Sequence, residues 1–438
     1  MRRRTVRHAG RGLALASGLI AVLAPASSAA ISWSPQSDVP RAFSWNYGNA
    51  LDFTGMPDDP TFRLTDVFVS DATLPQAAFA TSSSDGVGWS RPRRLSTTNV
   101  NAENPTVAAA GRRVVAGWMT GLSPYDPMGA ARRVQVTISS DRGSTWGGPK
   151  NLSPRGGAVD YPVVAASRTT FGPINLYAIW VDAETGKVIF RERSGAAPWS
   201  PPITLGATTW QRSTGFSGFA NIAAVGDLIT VAWIADGSGT VKARAIDLST
   251  SGSPSAAATA SEWGPRTTMS QPLSLAQHGY PVVAASPLVP GVVTIAWNTG
   301  KGQVFVQVTG ETIGPNATTI WKNGVAGAFT YRGGYATVVE PAPGGFVAMW
   351  AACRDTSLLR DCNVRSSEAR VDLLSSTSAD GSVFTDPVLV SGAGKPTRRI
   401  NDAPSLVATT GDVFVQYNGS TPNRSAYDVF ARVGTISP

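Results

Sequence analysis

The sequence predicts an all-β fold, a β-propeller of seven four-stranded blades, with six blades as the other count its periodicity allows. Three recurrences carry that expectation. Aromatic residues heading turn-rich segments such as WSRPRRL, WGGPKNL or FTDPVLV fall at Trp33, Trp89, Trp146, Trp199, Trp263, Trp321 and Phe384, spaced 53 to 64 residues apart. Apolar strand starts such as NPTVAAA, YPVVAAS and APSLVAT recur at Pro105, Pro162, Ala220, Pro281, Ala336 and Pro404, and 57 residues back from Pro105 lies Gly48. A further apolar run ends at Trp118, Trp180, Trp233, Trp297, Trp350 and Tyr417, with Phe68 as its counterpart in the first unit. Units of this length holding four short β-rich runs match a propeller blade.

Within a unit the elements follow in order. The first and second strands, as in VVAAS and LITVAW, are near-continuously apolar, which suits strands covered on both faces by neighbouring blades. The third strand comes after Gly/Ser/Asp turns, and the aromatic heads the fourth. No segment beyond residue 30 has a helical period. The ends set the count: Trp33 heads a fourth strand with no three before it, whereas the last unit, Pro404 to Val433, has three strands and no fourth. The strand around Trp33 is therefore expected to complete the last blade and remove the open edge of the ring.

Composition narrows the rest. Charged residues make up 15% of the 438, Gly (45), Pro (31) and Trp (13) are plentiful, and turns and sheets fit that better than helices. The formal charge of +8 is concentrated at Arg2, Arg3, Arg4, Arg7 and Arg11. Without those five, 32 of the 37 basic residues face 29 acidic ones, a net +3 that is too weak for a polyanion footprint, so nucleic acid is not an expected partner. The Arg-rich start, the apolar stretch from Leu13 to Ala24 and the small residues of PASSAA read as a secretory signal over residues 1–30, ahead of a single propeller domain over 31–438. Export to the extracellular space or cell envelope follows, and no later run is long enough to span a membrane. In an exported chain the two cysteines, Cys353 and Cys362, read as a disulfide. His278 is the sole histidine past residue 30, so neither a multi-histidine metal site nor a cofactor is expected.

Between the third and fourth strands of the second unit lies SSDRGSTW, with SSDGVGW and SADGSVF at the same phase in two others. Ser139, Asp141, Gly143, Thr145 and Trp146 match the Asp-box of bacterial neuraminidase repeats, and the chain resembles the sialidase-like propellers. The resemblance implies that the boxes lie opposite the ligand face, giving Asp141, Asp85 and Asp380 structural roles. Active sialidases carry an Arg triad, an Arg-Ile-Pro motif, a Tyr nucleophile with a Glu partner, and an Asp acid/base. The nearest match to the second of these is FRL at Phe62 to Leu64, which lacks the Pro and falls on a second strand. Fold therefore carries over, and activity does not.

Loops leading into first strands should ring one mouth of the central funnel. Immediately before the strand starts stand Tyr47, Asn104, Tyr161, Phe219, Tyr280, Tyr335 and Ala403, five of them rings that could stack on sugar C–H faces. Trp45 and Trp210, the two tryptophans off the repeat landmarks, fall in the same loops. One position earlier come Glu103, Asp160 and Asp402, carboxylates suited to glycosidic acid/base chemistry, with Arg332 and Arg399 placed to hold a substrate carboxylate. The expected function is recognition of a glycan or another extracellular ligand without catalysis. An exo-sialidase-like hydrolase and a protein-interaction scaffold are the alternatives.

Overall fold

The computed structural model describes residues 30–35, 37–44, 49–55, 60–70, 75–121, 132–154, 159–170, 172–208, 220–235, 240–251, 257, 259–270, 281–298, 304–310, 313, 317–321, 323–326, 329–354, 371–391, 405–420 and 427–437. Their strands form seven antiparallel sheets, the blades of a ring, each running from an inner first strand to an outer fourth. Blade 1 holds Asn49–Thr54, Arg63–Ser70, Ala77–Ser83 and Arg93–Arg94; blade 2 holds Asn101–Ala110, Arg113–Gly121, Arg133–Ser139 and Lys150–Asn151. Blade 3 is Val159–Arg168, Ile174–Asp182, Lys187–Ser194 and Ile203–Ala207, and blade 4 is Ala220–Val225, Leu228–Ile234, Val241–Asp247 and Thr267–Thr268. Blade 5 follows with Val282–Ala285, Val293–Asn298, Val304–Thr309 and Thr318–Trp321, and blade 6 with Phe329–Ala342, Gly345–Arg354, Val371–Ser378 and Val388–Leu389.

Blade 7 brings the two ends of the described chain together. Its inner strands are Ser405–Ala408, Asp412–Ser420 and Tyr427–Ser437, and its outer edge comes from the N-terminal side. Ala30–Trp33 pairs with the end of the third strand, with Ser32 opposite Thr435 and Trp33 opposite Gly434. Ser37–Ser44 continues the pairing, with Ser37 opposite Ala431. Gly434 is needed there, because a Cβ at that position would stand 2.6 Å from Ile31 Cγ2 and 2.9 Å from the Trp33 ring.

Three details depart from the sequence reading. Trp321 does not head a fourth strand: it ends one, opposite Val304, because the blade 5 turn is spaced differently. Asn323–Ala326 adds a fifth strand to blade 6 as a hairpin with Phe329–Ala342. One helical turn, Leu248–Ser251, interrupts the β pattern after the third strand of blade 4.

The landmark aromatics of the second strands form the spine of the core. Trp118, Trp233, Trp297, Trp350 and Tyr417 are fully buried between blades, as is Phe68 in blade 1. Each blade has two apolar faces that only its neighbours can cover, so burial of these large rings drives the ring to assemble as a unit.

Polar contacts then stitch blade to blade at two radii. Near the axis, a side chain of one inner strand accepts an N–H from the exposed edge of the next. Ser405 Oγ takes Leu51 N (2.6 Å), Asp52 Oδ2 takes Ala109 N (2.6 Å), Thr106 Oγ1 takes Val164 N (3.2 Å) and Asn221 Oδ1 takes Val283 N (3.3 Å). Such edge amides would otherwise be unpaired. Further out, arginines at one phase of the third strand reach back across the seam. Arg191 donates to Trp199 O and Ser200 O in its own blade and to Leu152 O in blade 2. Arg244 repeats this with Trp263 O, Gly264 O and Leu205 O. Arg432 repeats it once more at the closure, donating to Trp33 O, Ser34 O and Val390 O. Arg432→Met should leave these carbonyls unpaired and lower stability by about 2 kcal/mol in urea unfolding. Limited proteolysis should cut the 30–44 segment faster in that variant, whereas Arg191→Met should leave the segment's cleavage unchanged.

Candidate functional site

The first strands start at one end of the ring, and in blades 2, 3 and 6 they start with a β-bulge. The ladder skips from Glu103 to Thr106, from Asp160 to Val163 and from Tyr335 to Val338. In each case two residues, one more than a regular ladder holds, stand opposite a landmark tryptophan, Trp118, Trp180 or Trp350, since the flanking partners are its immediate neighbours. In blades 2 and 3 the bulge contains Pro105 or Pro162, which has no N–H to give the ladder, and the bulge accommodates it. Its other member is forced into the left-handed region: Asn104 has φ 49° and Tyr161 φ 43°. Asn tolerates that conformation, but an aromatic residue there, directly before a proline, is strained. Strain of this kind collects where a structure presents side chains to ligands.

The register also repositions one candidate. Tyr335 pairs with Ala351, one residue past Trp350, as Glu103 pairs with Met119 and Asp160 with Val181. It therefore shares the phase of the two carboxylates rather than that of Tyr161. For Tyr335, Asp160 and Arg332 the description covers the backbone alone; Arg332 pairs with Cys353. Trp45, Tyr47, Trp210, Phe219, Tyr280, Asp402, Arg399 and Cys362 lie outside the described residues. Tyr161 is half-buried, and Cys353 is buried at the same end of blade 6.

Glu103 has a partner that phase alone did not reveal. Arg132 Nη2, just ahead of the third strand of blade 2, lies 3.6 Å from Glu103 Oε2, and both side chains are buried. Burial pushes the Glu103 carboxyl up, with the Arg132 charge pulling it back down. Arg354 and Asp372 form a second buried pair at this end of blade 6, and Ser391 Oγ donates to the same carboxylate (3.2 Å). Neither arginine stands at a repeat landmark, so only a charge adjacent to a strand terminus could have flagged them.

The opposite end carries the compact turns. Ser139 Oγ donates to Asp141 Oδ1 (2.7 Å) and accepts Gly143 N (2.8 Å), while Asp141 takes both the N–H and the hydroxyl of Thr145. Those two donors hold Asp141 down to about 2. Asp85 and Asp380 are lowered in the same way by the amides and hydroxyls of their own turns. The third-to-fourth-strand turns thus lie at the end of the ring away from the bulges.

No protein-family model matches the sequence, and no curated protein does. Among solved structures, BP39L lectin from Burkholderia pseudomallei aligns with 88% of this chain and 98% of its own, at 14% identity and a TM-score of 0.53. Trypanosoma rangeli sialidase aligns with 94% of this chain and 60% of its own, at 11% identity and a TM-score of 0.44. The chain has a seven-bladed β-propeller fold. The catalytic domain of a GH62 α-L-arabinofuranosidase from Coprinopsis cinerea aligns with 91% of the propeller at 12% identity and a TM-score of 0.37. At these identities the likeness is one of fold, and the propeller spans about 60% of the sialidase's length. Among the described residues of the propeller, no helix is long and apolar enough to cross a membrane.

Buried carboxyls elsewhere in the propeller set its pH response. Burial pushes Asp52 up to about 7 against the amides of Phe53 and Ala109, and pushes Glu192 to about 7. Glu340 is raised by burial and by the Asp52 charge. The folded protein keeps protons that the unfolded chain releases near pH 4, so this stability is complete below about 4 and fades as pH rises through about 7. The turn aspartates act with the opposite sign, and their contribution is lost from about 4 downward. The melting temperature should fall between pH 5 and 8, with a shallower slope in Glu192→Gln; a slope unchanged by that variant would clear Glu192 of the effect. A second outcome concerns strain: Tyr161→Gly, which removes the φ penalty, should keep the melting temperature within a few degrees of the parent despite losing a half-buried ring.

Proposed function

We propose that the protein is an exported, non-catalytic propeller that recognises a glycan where the loops leading into the first strands converge. The ligand-facing set is Trp45, Tyr47, Tyr161, Trp210, Phe219, Tyr280 and Tyr335. The observation that carries this reading is Tyr161, an aromatic residue kept at positive φ in a bulge braced by a buried tryptophan. A side chain with only a packing role would be replaced there by Gly or Asn at lower strain. The fold is one that a lectin also uses, which supports the reading. The Arg-rich, apolar, small-residue start argues for export, and a bond between Cys353 and Cys362 would stiffen the wall of the same face at blade 6.

Glu103 favours a second reading, an exo-sialidase-like hydrolase with Glu103, Asp160 or Asp402 in acid/base roles, because its carboxyl is raised as a general acid's would be. Against that, Glu103 is only 7% exposed and its Oε2 is committed to Arg132, an arrangement that braces the loop. On a glycan array, replacing Trp210 and Tyr280 together with Ala should weaken binding at least tenfold. Unchanged binding would reject the site. Release of fluorophore from a sialoside panel, abolished by Glu103→Gln, would move the conclusion to the hydrolase.

A further inference from the structure

At the end of the ring opposite that face, Arg113 of blade 2 and Arg168 and Arg193 of blade 3 line the cleft between the two blades, and Arg112 and Arg142 stand in the adjoining turns of blade 2. Arg112 lies in the turn between the first two strands of blade 2 and Arg113 starts the second, and Arg142 in the neighbouring turn donates its backbone N–H to Arg112 O (2.9 Å). From blade 3, Arg168 ends the first strand and Arg193 lies near the end of the third, two register steps apart on one face of the sheet. The two blades touch through this group where Arg113 Nη1 donates to Gly195 O, while Arg193 Nη2 donates within its own blade to Ala196 O (3.5 Å). Burial lowers the Arg193 guanidinium, and the nearby charge of Arg113 lowers it further.

None of these five arginines makes an ion pair among the described residues, where both ion pairs belong to Arg132 with Glu103 and Arg354 with Asp372. The nearby carboxylate of Asp141 is engaged by Thr145 and Ser139. The Nε atoms of Arg142 and Arg193 are buried and have no hydrogen-bond partner among the described residues. Exposed guanidinium forks such as those of Arg112 and Arg168 are the chemistry that binds oxyanions bidentately. Single-stranded nucleic acid would also want rings to stack on, and among the described residues the exposed large apolar side chains are Val87, Val383 and Val388, none of them aromatic.

We propose that this cleft is a second binding surface, for a polysaccharide carrying sulfate, phosphate or carboxylate groups. It is independent of the glycan face, so one molecule can hold a ligand at each end of the ring. Arg112 and Arg168 are exposed and can be changed without disturbing the core.

The test is binding of the full chain to dextran sulfate and to uncharged dextran in 50 mM NaCl, by calorimetry or biosensor. The wild type should bind the sulfated polymer alone and lose it steeply as salt rises. Arg112→Glu with Arg168→Glu should bind at least tenfold more weakly, whereas the equally charged control Arg91→Glu with Arg266→Glu should change affinity less than twofold. Arg112→Gln with Arg168→Gln, checked by circular dichroism, gives the same readout should the charge reversal unfold the protein. Equal loss in the control, no binding by the wild type, or duplex DNA bound as tightly as dextran sulfate would each overturn the proposal. Array binding at the other face should be unaffected by all four substitutions, which separates failure here from failure there.

Discussion

The structure depends on one pairing, that of residues 30–44 with the strand Tyr427–Ser437. Without it blade 7 would have an open third strand, and the cover that Val39 gives Phe68 of blade 1 and that Ile31 gives the core shared by blades 6 and 7 would be lost. The pairing joins segments about as far apart in the chain as two segments can be, so its loop-closure entropy must be offset by what the ring buries. At the closure itself Ile31 and Val39 are buried. Trp33 lies over Gly434, and Arg432 fastens Trp33 O, Ser34 O and Val390 O from two blades at once. The clamp is the same device used by Arg191 and Arg244 between blades with a continuous chain, so the closing seam is built like the others.

A closed ring fixes phase, and phase separates the two ends of the molecule by chemistry. At one end the first strands begin with bulges set against buried tryptophans, which hold Asn104 and Tyr161 in backbone conformations that an open strand would relax. At the other end, short turns satisfy their own polar groups with Asp and Ser, keep their carboxylates ionised, and leave arginines exposed between blades 2 and 3. Close to the axis the polarity reverses again: Asp52 and Glu340 occupy the same register position, where blades 2 to 5 carry Ala108, Ala165, Ala223 and Ala284. Two carboxyls replacing alanine in an otherwise apolar ring account for how burial raises both and the Asp52 charge raises Glu340 further.

What the sequence disclosed was whatever repeats as a residue type. The buried tryptophans, the strand order, the Ser-Asp-Gly turns and the closure by the Trp33 strand are all written as recurring letters, and each stands in the structure. Trp321 was misassigned because an aromatic at nearly the right spacing looks the same at the head of a strand as at its end. Tyr335 slipped one place because blade 6 has Ala-Thr where blades 2 and 3 have a bulge proline, leaving nothing to mark the register. The arginine clamps went unseen for a different reason: their partners are backbone carbonyls, which any residue supplies. Arg132 was missed because its pairing with Glu103 crosses from one loop to another strand, outside any period. Of the candidate face, Glu103, Tyr161 and the backbone of Asp160 and Tyr335 are placed, all at the same end of the ring.

Hydrogen exchange at the closing strands addresses the central claim most directly. If the N-terminal pairing seals the ring, amides of Ile31 to Trp33 and of residues 37–44 paired with 427–437 should exchange as slowly as those of Val231 and Ile295 in the middle of the molecule, and by the same global opening. Exchange of the 30–44 amides within seconds, while blades 2 to 5 stay protected, would show that the ring holds together without that seal and would contradict the account.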